Sequence, residues 1–282
     1  MTDDAPIAIS PTQDAPLRRS LVLGLAIAGA ATVFAATLPF ATSARGVVGP
    51  TIADAARPVA AAVAVVVAFA VATALSAIVA RLVNACVGLF VLGCGVGVLS
   101  MRSGAVAEFA FGGSSIGAAA AELAAWTVLA VGACHLVFRT GGALPDLPPT
   151  HEEDLDRPAG RAARSAWFAA CFAPLVAWAV AVNDTKGQAL FAATMAGFAT
   201  GAVGRIFAPR TNPVYLAAAP VAVFAALFAY LAFTLRGDLA AGFVDGSLPN
   251  ILRLMPADVV AGSFAGTALG FGFMRSFLAQ ER

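Results

Sequence analysis

Among the residues able to do chemistry, Glu122 has the least ordinary surroundings. It interrupts an apolar run from about Gly113 to Phe138, and at about 1.5 Å per helical residue a start at Gly113 puts its carboxyl roughly 14 Å deep. An ionised acid near the middle of a hydrocarbon layer costs several kcal/mol, so it must be neutral, paired or facing water. Two expectations follow. Glu122 either lies in a polar cavity and exchanges a proton or cation there, or it is a neutral carboxyl hydrogen-bonded to a Ser or Thr of a neighbouring helix. His135 lies one turn before Arg139 in the same run. There the negative end of the helix dipole favours a partly positive ring, suiting an interface histidine or a proton relay.

The other candidates are simpler. Cys86, Cys94, Cys134 and Cys171 show no CxxC spacing and are expected as small buried hydrophobes. His151, Glu152, Glu153, Asp154 and Asp156 form the densest acidic cluster, but Thr150 and Glu153 have capping-box spacing, which explains the cluster without a metal. Arg157, Arg161 and Arg164 recur at intervals of four and three. On a helix they share one face, suited to anionic lipid headgroups. No HExxH, GxSxG or phosphate-binding glycine loop occurs, so neither an enzyme nor a cofactor is expected.

Glycine supplies the most regular pattern. Gly262, Gly266 and Gly270 repeat every four residues, and Gly197/Gly201 and Gly113/Gly117 share that spacing. Residues four apart line one helix face, and in lipid glycine lets two backbones approach closely. Such faces fit tight packing against a helix of the same chain, a second copy or a partner membrane subunit.

These residues need elements to hold them, and the composition says which. Of 282 residues, 60% are hydrophobic and only 12% charged, with mean hydropathy +0.86. Soluble domains carry about twice that charge. A net charge of +1 gives no basis for nucleic-acid binding. A helix crosses a bilayer with about 20 apolar residues, and eight stretches qualify: Leu21–Phe40, two within Val59–Ser100 divided at Arg81–Asn84, Gly113–Phe138, Ala166–Val182, Gln188–Phe207, Pro213–Thr234 and Val259–Leu278. Pro220 is expected to bend the seventh. The fold class is therefore all-α and polytopic.

Arginine and lysine are retained on the cytoplasmic side during insertion. Eight crossings with both termini inside put eleven of these residues inside and six outside. Sixteen arginines against one lysine suit a GC-rich genome, so the expected location is a bacterial cytoplasmic (inner) membrane. The organisation reads as a disordered cytoplasmic tail (1–17), a four-helix half (18–139), a cytoplasmic connecting loop (140–164) and a second half (165–282). Gly113, Ser114 and Gly117 match Gly262, Ser263 and Gly266 at an offset of 149 residues. Parallel halves of this kind are a transporter architecture. Two apolar segments, Ala105–Phe111 and Leu248–Met255, precede the last crossing of each half and can lie in the interface or dip back.

Two functions fit these features. One is a small-solute or ion permease with a polar site around Glu122. The other is an accessory or scaffolding subunit without activity of its own, which the scarcity of internal polar groups would suit.

Overall fold

The computed structural model describes residues 14–141, 159–207, 212–235 and 237–278, and within these the chain forms helices and no strand beyond one isolated bridge, Thr42 to Val48. The long elements are α1 (Asp14–Ala35), α3 (Pro58–Leu82), α4 (Ala85–Arg102), α6 (Ile116–Gly141), α9 (Lys186–Phe207), α10 (Pro213–Thr234) and α12 (Pro256–Leu278). Between them lie the short helices α2 (Leu38–Ala41), α5 (Val106–Phe111) and α11 (Leu239–Val244). Seven helices are long and apolar enough to cross a membrane. The protein is an all-α polytopic membrane protein.

The expected fifth crossing is built differently. It divides into α7 (Ala159–Ala170) and α8 (Phe172–Val180), with an apolar stretch Arg164–Val180 running through both. Pro174 lies in the first turn of α8. It offers no N–H, and its ring crowds the carbonyl four residues back, so a helix breaks just there. The helix α10 runs through Pro220 without a break. The turn between α3 and α4 falls where the polar step predicts it, and the Asn84 side chain caps α4 by accepting from Val87 N–H at 2.9 Å.

Three boundaries correct the sequence reading. Asp14–Leu17 belong to α1 rather than to the tail. Of the expected connecting loop, Thr140 and Gly141 belong to α6 and residues 159–164 to α7. Gly113 lies outside α6, in a turn at φ +78°, a conformation that L-residues with a side chain avoid. Residues 1–13 and 142–158, with most of the proposed tail and loop, are outside the described residues.

Packing repeats between the halves. In the first, α1 packs on α3 and α4, α3 on α4 and α6, and α4 on α6. In the second, α7 and α8 pack on α9 and α10, α9 on α10 and α12, and α10 on α12. The halves meet reciprocally, third crossing against fourth: α4 on α12 and α10 on α6. The short helices α5 and α11, each ahead of a fourth crossing, also touch, with the Phe111 and Phe243 rings 5.7 Å apart. The helix α12 is central, with 78% of its apolar window buried against 17% for α1. Between the halves the core is aromatic: Phe69 meets Phe264 at 6.2 Å and Phe138 meets Phe271 at 6.4 Å, and within the first half Phe69 also meets Trp126 at 5.4 Å.

Candidate functional site

The α9–α12 contact is made by the glycines. A methyl group on Gly266 would collide with the carbonyl oxygen of Thr194, and one on Gly262 with the backbone of Ala193. On Gly270 it would lie 2.5 Å from Phe198 O, on Gly197 2.6 Å from Gly262 O and on Gly201 2.8 Å from Thr267 O. Thr267 Oγ1 donates across the seam to Gly197 O at 3.3 Å. Close backbone contact substitutes here for the hydrophobic drive that lipid does not provide. These five glycines therefore serve an interface inside the chain. Gly113 and Gly117 serve none: nothing lies within 4 Å of a Cβ on Gly113, and only the Ser115 hydroxyl, at 4.0 Å, lies near one on Gly117. The helix α4 adds three close approaches, Gly88 against the Ser76 carbonyl oxygen, Gly93 to Ala265 N at 2.6 Å and Gly95 to Ala30 Cβ at 2.9 Å.

Polar groups gather at the end of the bundle that carries the 42–57 connection. Glu122 is the seventh residue of α6, about 9 Å along the helix rather than 14 Å, since α6 starts three residues after Gly113. It is half-buried. Its Oε2 accepts from Ile52 N–H at 2.7 Å and its Oε1 from Trp126 Nε1 at 3.3 Å. The partner is thus the backbone of a connecting segment, not the Ser or Thr expected. That segment is ordered by Asp54, whose Oδ2 accepts from the Thr51 hydroxyl and N–H at 2.7 and 3.1 Å. Asp54 Oδ1 accepts from Ser114 Oγ at 2.8 Å, and Arg45 Nη2 donates to Gly112 O at 2.7 Å. The loop is pinned to the start of α6 at three places.

A cavity of about 490 Å3 lies between α3 and α6 and reaches Glu122. Apart from that carboxylate its side chains are apolar, among them Val59, Val66, Ala118, Ala125 and Leu129. Val59 and Val66 are exposed on the flank of the bundle, so the cavity opens sideways. His135 is not part of this site. It is exposed, thirteen residues beyond Glu122 on α6, about 20 Å along the axis and turned roughly 220° away.

A second polar cluster joins the halves, and its membership was not visible in the sequence. Lys186, at the start of α9, and Asp258, in the first turn of α12, form an ion pair of 2.8 Å with side chains 13% and 0% exposed. Asp258 also accepts from Ser100 Oγ of α4 at 2.5 Å and from Met255 N–H at 2.9 Å, and Lys186 Nζ donates to Gly104 O at 3.1 Å. Nearby, Arg253 Nε lies 3.3 Å from Asp184 Oδ1. Lys186 is the one lysine of the chain and follows Asn183, Asp184 and Thr185, the one sequence signal that marks this cluster. In both halves, then, the connection between first and second crossings is held by a carboxylate to the segment opening the fourth.

The four cysteines are free, and among the described residues no group of His, Cys, Asp and Glu could hold a metal ion. Arg164 is exposed. The Arg157 position and the Arg161 side chain, like the 151–156 cluster, lie outside the described residues. Fold and site together define a multi-spanning α-helical protein with an apolar lateral cavity ending in one acid. No family model, curated protein or solved structure matches the chain.

Proposed function

We propose that the chain is a small-solute or ion permease of two parallel four-helix halves, with Glu122 as its polar site. The observation that carries this reading is the Glu122 carboxylate at the end of a lateral cavity of about 490 Å3, a size in the range of small-molecule sites. The recurrence of helix pairings in the two halves supports a duplicated architecture, which transporters use. Both termini are cytoplasmic and the membrane is the bacterial inner membrane, on the strength of the arginine distribution. Arg164, with Arg157 and Arg161, contacts lipid headgroups on that side.

The second reading, an accessory or scaffolding subunit, is favoured by the aromatic closure between the halves and by the face of α1, where Leu21 and Leu25 are exposed. A partner subunit or second copy would cover that face rather than the glycine seam. Native mass spectrometry of the protein released from nanodiscs separates the two. A small-molecule adduct present on wild type and absent from Glu122→Gln supports the permease. Identical spectra together with a stoichiometric second polypeptide support the subunit.

A further inference from the structure

The chemistry of the Glu122 cavity assigns its ligand class: we infer that it takes a hydrophobic monocation, with the charged centre against Glu122 and the apolar body along the α3–α6 flank. This deepens the permease reading and rests on it for the ligand's fate, although binding is measurable without transport.

Charge comes first. Both oxygens of Glu122 accept N–H bonds, from Ile52 and from Trp126, and neither donates to a protein group. No arginine, lysine or histidine among the described residues forms an ion pair with it. Both oxygens of Asp54, the other acid on this side of α6, are already engaged by Ser114 and Thr51. In its ionised form Glu122 therefore has no protein cation to balance it. A carboxylate in apolar surroundings attracts a cation far more strongly than it would in water.

Shape and polarity limit the rest. The remaining side chains of the cavity are apolar, so a strongly hydrated ion such as sodium would lose its water without replacement ligands. A phospholipid could lay an acyl chain between Val59 and Leu129, but its phosphate has the wrong charge for the acid. An ammonium or phosphonium with bulky alkyl or aryl groups meets both requirements, and it can arrive from the bilayer through the flank.

Equilibrium dialysis of radiolabelled tetraphenylphosphonium against the purified full-length protein in nanodiscs tests this. Tetraphenylborate is the control, having the same shape and the opposite charge. Wild type is expected to bind the phosphonium saturably and not the borate. Glu122→Gln, which keeps a carbonyl for Ile52 N–H, should weaken phosphonium binding by about thirtyfold or more. Ala62→Phe fills the cavity while leaving the acid in the chain and should weaken it as well, which keeps the test decisive if the Gln variant folds poorly. Equal binding of phosphonium and borate overturns the inference, as does binding indifferent to both substitutions. Absence of phosphonium binding alongside a Glu122-dependent adduct in mass spectrometry rejects the cation class and leaves the permease reading standing. Absence of both rejects the two together.

Discussion

Lys186 Nζ stands 2.8 Å from Asp258 Oδ1, and the aspartate side chain is wholly buried. The pair ties the start of α9 to the start of α12, and through Ser100 Oγ it ties both to α4 of the other half. Removing one member of a buried pair leaves the other charge uncompensated, whereas removing both need cost little.

Lys186→Met is therefore expected to destabilise the folded protein by about 3–5 kcal/mol. The double variant Lys186→Met, Asp258→Asn should recover much of that loss. Unfolding of the four proteins by SDS in mixed micelles measures the coupling. Additive losses across the cycle would count against a functional pair.

The glycine seam makes a sharper contrast. Gly266→Ala drives a methyl group into the Thr194 carbonyl, while nothing lies within 4 Å of a Cβ on Gly132. The first should cost about 1–3 kcal/mol as overpacking, visible as a lowered melting temperature in detergent. Gly132→Ala should leave melting unchanged or raise it slightly, since alanine is the better helix former. Equal effects would mean that α9 and α12 do not meet at these residues.

These contrasts mark what was legible in the sequence. Crossing lengths were legible because about 20 apolar residues are needed whatever their neighbours, and the α3–α4 break because Arg81 to Asn84 is a polar step inside an apolar run. The face holding Gly262, Gly266 and Gly270 was legible, but not its partner, because spacing fixes a face and only packing fixes what meets it. Gly93 and Gly95 lie two apart and serve two different neighbours, α12 and α1, while Gly97, four residues from Gly93, meets nothing within 4 Å, so spacing alone does not pick out the packed ones. The depth of Glu122 was overestimated because the left-handed turn at Gly113 delays the helix. The Lys186–Asp258 pair spans 72 residues and depends on tertiary contact alone.

Glu122 also holds the 42–57 connection, and that role separates from ligand binding. Glu122→Ala removes the acceptor for Ile52 N–H, whereas Glu122→Gln retains a carbonyl in its place. Hydrogen exchange should show faster exchange at Ile52 in the alanine variant and near-native protection in the glutamine variant. Loss of protection in both would mean that the charge itself, not the acceptor, orders the segment.

Reciprocal packing of α4 on α12 and α10 on α6 implies that the halves recognise each other without being joined. A break in the connection between α6 and α7 should leave two fragments, α1 to α6 and α7 to α12, that associate when expressed together. A tag on one fragment should retain the other through purification. The Gly93 site tests whether this association uses the interface described above. A Cβ on Gly93 comes within 2.6 Å of Ala265 N, and one on Gly97 meets nothing within 4 Å. Gly93→Val should abolish co-purification, because two helix backbones would have to separate, and Gly97→Val should not. Fragments that elute apart in the wild type, or that respond alike to the two substitutions, would rule out α4 against α12 as the joint between halves.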